Sequence, residues 1–299
     1  MQIKQLINHQ TFLYASGLLL MLSGLVHFGI WLVLGGEWEG PVSWRKPALF
    51  GISTGMTVLS IGWLVPKLQP KKLDLFLCAA LGISLVVEVA LITLQQWRGV
   101  ASHFNHEGHL NNVIENWMTY LIVAATLSLA EFTRRSFGSL NAPNDLKLAI
   151  KGGMAFLMVS CLIGFATLFH GNAQVTAGND PSIYGKAGVT KFPHGVAIHT
   201  LQLFPLACWL MTKLGLPIEQ RTRLIVYLIA STSMLLLFSI IQTLSGQSRF
   251  DLTFGGGLCL AASAICLAPL FFTLGRQLKL VSKPKPSLSS YFRTFRATP

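Results

Sequence analysis

Along this chain, apolar runs of about twenty residues alternate with short polar connections, and each run is long enough to cross ~30 Å of hydrocarbon as a helix. Eight such runs can be drawn, over residues 12–36, 47–66, 74–96, 113–132, 148–170, 194–212, 222–245 and 253–275. The connections between them are rich in Gly, Pro, Asn and Ser, the residues that end helices and form turns. The pattern predicts an all-α integral membrane protein of eight transmembrane helices. The longest outer connection, 171–193, is expected to be an irregular lid or binding loop.

The third run departs from the pattern. At about 100° per residue, Ser84, Glu88, Gln95, Arg98 and Ser102 fall in one narrow stripe, carrying acid, amide, guanidinium and hydroxyl groups into the apolar layer. An ionisable group at that depth is costly and needs a partner. Glu88 lies about nine residues from the outer end of its run, roughly 13 Å at 1.5 Å per residue. His27 lies equally deep in the first run, so the two are expected to form a buried pair, with Arg98 as the partner of an anion or carboxylate.

Composition excludes a soluble domain: 52% of the 299 residues are hydrophobic and 11% charged, where soluble domains carry about 25% charged residues. The net charge of +12 is a topology signal. Of the 23 Lys and Arg, 17 fall in the N-terminal segment, alternate connections and the C-terminal tail. The positive-inside rule then places both termini in the cytoplasm, in a multi-pass protein of the bacterial inner membrane. The same charge attracts anionic headgroups. No basic stripe with interleaved aromatics is present, so no nucleic-acid partner is expected. The first run is too long for a secretory signal and lacks a small-x-small cleavage site, which makes it a spanning helix. The five cysteines all lie within spans, are odd in number and form no C-x-x-C, so they read as packing residues.

Pro47, Trp63 and Lys67 recur as Pro193, Trp209 and Lys213, at a constant spacing of 146 (193 − 47) that also sets Ser53 against His199. After a short slip, Thr93-Leu94 recurs as Thr243-Leu244. The chain therefore reads as two parallel four-helix repeats, 1–138 and 139–276, related by an axis along the membrane normal, followed by a basic cytoplasmic tail, 277–299, expected to be disordered.

Seven of the eight histidines, all but His9, lie in the outer half or outer connections. Three readings follow. In the first, polar residues staple the halves of a scaffold or accessory subunit, within a membrane complex or a homo-oligomer. In the second, imidazoles from His27, His103, His170, His194 and His199 hold a metal ion or a haem b in a redox protein, with His27–His199 or His170–His194 as axial pairs. Such a haem is non-covalent, because no C-x-x-C-H is present. His103, His106, Glu107 and His109 form the densest group of potential ligands. In the third, His27, Lys46, Glu88, Gln95, Arg98, Gln202 and Gln242 line the polar site of a transporter for a small polar or anionic solute. Neither G-x-S-x-G nor HExxH is present, so no catalytic residue is assigned.

Three segments, Trp44-Arg45-Lys46-Pro47, Gln95-x-x-Arg98-Gly99-x-x-Ser102-His103-Phe104-Asn105 and Pro193-His194-x-x-x-x-His199-x-x-Gln202, resemble those of a family of uncharacterised polytopic bacterial membrane proteins. The likeness covers about residues 20–245. It implies a polytopic helical fold and points to Lys46, Glu88, Gln95, Arg98, His103, His194, His199 and Gln202 as recurring polar positions. It implies no reaction, and His106 and His109 lie outside its pattern.

Overall fold

A computed structural model describes residues 2–281. It is all-helical apart from one small hairpin: α1 Gln2–Leu34, α2 Arg45–Leu64, α3 Asp74–Trp97, α4 His109–Ser136, α5 Asn144–Thr176, α6 Lys191–Ile198, α7 Thr200–Lys213, α8 Ile218–Leu244 and α9 Phe254–Val281. With α6 and α7 counted as one broken span, eight helices are long and apolar enough to cross a membrane. Most of the tail expected at 277–299 lies outside the described residues, whereas 277–281 continue α9. α5 runs past His170 to Thr176, so His170 stands inside the helix rather than at its end.

Helix ends follow local chemistry. α1 stops before Gly35 and α8 before Gly246, whose positive φ values (69° and 65°) suit glycine. α5 and α8 begin directly after Pro143 and Pro217. The sixth span breaks at His199, which leaves helical geometry at φ −101°, ψ 13°. There the Thr200 hydroxyl reaches the carbonyls of Ala197 and Gly153.

In the first half α1 packs on α2 and α3, α2 on α3, and α3 on α4. In the second, α5 packs on α6, α7 and α8, both α6 and α7 on α8, and α8 on α9. The halves meet where α4 touches α5 and α2 touches α7. α1 and α2 approach closely: a Cβ on Gly51 would lie 2.8 Å from the Gly24 Cα, so neither position tolerates a side chain. One apolar cluster draws on both halves, including Leu20, Val58, Leu85, Phe132, Leu157 and Leu201; a second lies within the later half around Phe156, Phe204, Met211 and Leu228. Large apolar side chains such as Phe254, Ile265 and Phe272 are exposed on α9, which suits a lipid-facing surface.

The two ends of the bundle differ. The basic end, where α2 leads into α3 and α4 into α5, is closed by buried ion pairs: Arg135 to Asp74 at 2.5 Å, with side chains only 4% and 3% exposed, and Arg221 to Asp145 at 2.8 Å. Arg135 also donates to the Gln69 carbonyl, and Asn141 N–H to the Lys67 carbonyl. At the histidine-rich end, connection 177–190 is not a free loop. It forms a hairpin, β1 Ile183–Tyr184 with β2 Gly188–Val189, held to the end of α8 by Thr243 Oγ1 to Val189 O and Ala187 N to Gly246 O.

Removing one member of a buried pair strands the other charge. Arg135→Ala is expected to cost about 3–5 kcal/mol, whereas Glu131→Gln, which breaks the exposed contacts to Arg134 and Lys71, costs less than about 1 kcal/mol. Thermal unfolding of the two purified variants checks this, and equal losses would contradict it.

Candidate functional site

His27 does not meet Glu88. Its Nδ1–H donates to the Ser23 carbonyl at 2.7 Å, and its Nε2 accepts the Trp97 indole N–H at 3.2 Å. Trp44 stacks on the ring at 6.3 Å and Trp97 meets it edge-on at 6.4 Å. Both nitrogens are engaged, so His27 ties α1, α2 and α3 together and has no free lone pair for a metal.

Arg98 also departs from expectation. It is exposed, just beyond the end of α3, and its guanidinium bonds the Gln95 side-chain carbonyl and Asn111 Oδ1 (3.0 Å), with no carboxylate partner among the described residues. Gln95 is buried and donates to the same Asn111 oxygen, whose amide in turn holds the Glu107 carbonyl. These residues fasten the start of connection 98–108 rather than line a cavity.

That connection straps the two halves. Phe104 adopts positive φ (60°), unusual for an aromatic residue. Its N–H donates to Glu115 Oε1 at 3.1 Å, and its ring lies where a Cβ on Gly171 of α5 would stand, 2.4 Å away. His106 is exposed and lies between Asn112 Oδ1 (3.1 Å) and Asn172 Oδ1 (3.0 Å). The Asn172 bond foremost raises its pKa above the ordinary value, with burial opposing and Asn112 and Glu115 assisting. His103 packs on Phe50 at 5.5 Å and bonds Ser102 Oγ at 2.9 Å. Burial, then the charges of Lys46 and Lys191, push its pKa down to about 3, so it is neutral.

The halves meet in a polar seam. Ser53 on α2 bonds His199 Nε2 at 3.3 Å, and Gln202 on α7 donates to Ser60 Oγ at 2.9 Å. Glu88 Oε2 is buried with no partner among the described residues, while His199 and Gln202, one turn apart, lie within reach of each other. Glu88 is 5% exposed. Its helical neighbours Leu85 and Val89 belong to the apolar cluster that includes Leu201, between His199 and Gln202. Counted from the histidine-rich helix ends, Ser53, Glu88 and His199 lie at one level, roughly 12–14 Å deep. His194 turns toward α5, its Nδ1–H donating to the Ser160 carbonyl at 2.9 Å. Gln242 is no lining residue: it is fully buried, donates to the Ser248 and Asp251 carbonyls, accepts from Thr253, and closes the α8–α9 turn.

The histidine pairs expected for haem do not form. His27 is saturated. His194 is bonded at Ser160, while His170, ten residues along α5 and so about 15 Å away, bonds the Ile183 carbonyl and packs on Tyr184. Among the described residues no three His, Cys, Asp or Glu side chains group as metal ligands, and His103 and His106 bond separate partners.

Sequence reasoning missed Trp97 as the His27 partner, Asn111, Asn172, Lys191 and the ion pairs at the basic end. The fold defines a polytopic α-helical membrane protein in which α2 and α7 meet through polar side chains. No family model, curated protein or solved structure matches the chain.

The depressed value at His103 has a measurable consequence. Between pH 7 and 5 the unfolded chain gains a proton there, near the ordinary pKa of about 6.5, while the folded chain refuses it, so acid destabilises the fold. Acidification is expected to lower the melting temperature of the wild type more than that of His103→Gln; parallel falls would remove His103 from the account.

Proposed function

We propose that this protein binds a small polar solute in the seam between its halves, as the carriers of a membrane do. The observation that carries the reading is the buried Glu88 carboxyl, whose Oε2 meets no partner among the described residues, in a bundle whose α2 and α7 meet through Ser53 and His199. An acid buried with no bond at all is costly, since an unmet buried group costs about 1–3 kcal/mol and more when charged. An intramembrane carboxyl without a partner marks a working site. The broken span supports this, since discontinuous helices at mid-membrane are where carriers form solute sites.

The two halves are parallel repeats in this reading. The same order of helix pairing in each half supports it. So does the Ser53–His199 bond, which joins residues separated by the repeat spacing itself, as positions on a two-fold axis must be. His27 and His170 also stand at similar places in α1 and α5, each against an aromatic side chain from a following connection. We further propose the bacterial inner membrane as location, with both termini cytoplasmic on the charge bias. Membership of the polytopic family that the three motifs resemble belongs to the same proposal.

Replacing an unmet polar group with an apolar one relieves its burial. Glu88→Leu is expected to raise the melting temperature of the purified protein, by roughly 2–4 °C per kcal/mol gained, while removing the response to whichever solute stabilises the wild type in a thermal-shift panel of sugars, amino acids and organic acids. If this variant melts lower than wild type, the residue is a staple, and the scaffold role takes the place of the solute site.

A further inference from the structure

The histidine-rich end holds a second, shallower group of side chains that the seam does not use. α2 and α6 both begin there, and each carries a lysine in its first turn, Lys46 and Lys191. A cation at a helix N-terminus opposes the macrodipole, and neither lysine has a carboxylate within ion-pair distance. Lys46 Nζ donates to the Pro41 carbonyl at 2.6 Å and Lys191 Nζ to Ser182 Oγ at 3.0 Å. The neighbouring Arg45 is matched by Glu39 at 3.4 Å. His103 stands against Phe50, one turn beyond Lys46 on α2, and within electrostatic reach of both lysines.

One acid faces the same space. Glu115 is 5% exposed; Oε1 accepts the Phe104 N–H, and Oε2 is buried with no partner. It lies within electrostatic reach of Lys46 yet forms no ion pair with it. Asp180 and Glu39 stand in the same relation to Lys191, so the surroundings carry no large net charge. Two cations held only by a carbonyl and a hydroxyl, and an acid held only by backbone N–H, none with a counter-charge in contact among the described residues, suit a ligand with both signs of charge. At the start of α2 the Ser43 hydroxyl, fully buried and unpartnered, adds a further donor.

We infer that Lys46, Lys191, His103 and Glu115 form a binding site for a zwitterion, whose oxyanion faces the two lysines and the imidazole and whose ammonium faces Glu115. A free amino-acid-like solute and a phosphoethanolamine lipid headgroup share this chemistry. The site lies about 10 Å nearer the helix ends than Ser53, counting seven residues of α2, and does not rest on the seam reading.

Purified protein in a maltoside detergent would be titrated with glycine and with O-phosphoethanolamine, following melting temperature and tryptophan fluorescence, since Trp44 lies two residues from Lys46. Acetate and methylammonium serve as the separate halves of the ligand, and phosphatidylethanolamine added to the micelles, with phosphatidylglycerol as control, tests the lipid source. The expected result is a saturable response to a zwitterion at least 10-fold tighter than to either half. Lys46→Gln and Glu115→Gln each weaken it at least 10-fold, while Arg98→Gln and the seam variant Gln202→Leu leave it unchanged. Glu115→Gln keeps an oxygen for the Phe104 N–H, so its loss would not reflect a misfolded strap; size-exclusion profiles confirm this for both variants. A response to phosphatidylethanolamine alone assigns the site to a lipid headgroup. Acetate binding as tightly as the zwitterions, the absence of any saturable response including to lipid, or a response retained in both variants overturns the site.

Discussion

A polar atom in the hydrocarbon interior has no water to turn to, so every such atom must be matched from within the protein or left unmatched at a cost. The helices meet this demand for the backbone, and most hydroxyls meet it locally. Thr57, Ser60, Ser128 and Thr232 each fold back onto the carbonyl four residues earlier. At the basic end Asp74 and Asp145 are matched by arginines from distant segments. Against that general economy of matched groups, Glu88 stands out as a buried mid-span acid whose carboxyl has no hydrogen bond or ion pair among the described residues.

The break in the sixth span is part of the same arrangement. A continuous helix through residue 199 would keep its main chain fully bonded and carry the imidazole on whichever face the period dictated. Ending α6 at Ile198 and restarting at Thr200 frees backbone groups, and the Thr200 hydroxyl takes up one of them at the Ala197 carbonyl while also crossing to Gly153 of α5. His199 is thereby fixed against Ser53 of α2, across the boundary between halves. The break thus relates a local backbone irregularity to the one place where side chains of the two halves meet through hydrogen bonds at mid-depth.

Hydropathy made the eight spans legible, because membrane thickness sets their length; the observed ends fall within a few residues of those read from the chain, α5 excepted. The buried face of α3 was legible too, since Ser84, Glu88 and Gln95 are all buried. Arg98 was misread because a helical projection holds only while the helix lasts, and α3 ends at Trp97. The pairing of Glu88 with His27 failed for another reason: equal depth says nothing about azimuth, and an indole from the end of α3 and one from the connection before α2 already enclose that imidazole. The ion pair of Asp74 with Arg135 could not be read, as it joins residues 61 apart, one opening the third run and the other in the connection after the fourth. The meeting of Ser53 with His199, by contrast, was latent in the repeat spacing.

The two ends are closed by different kinds of bond, and their magnitudes rank them. At the basic end, separating Arg135 from Asp74 would leave both charges stranded, a loss of about 3–5 kcal/mol for one pair. At the histidine-rich end the halves are joined by the His106–Asn172 hydrogen bond and by the Phe104 ring against Gly171, and a hydrogen bond of that kind contributes about 0.5–1.5 kcal/mol net. Phe104 holds a backbone conformation that itself costs of order 1–3 kcal/mol, so releasing the strap recovers part of what it gives up.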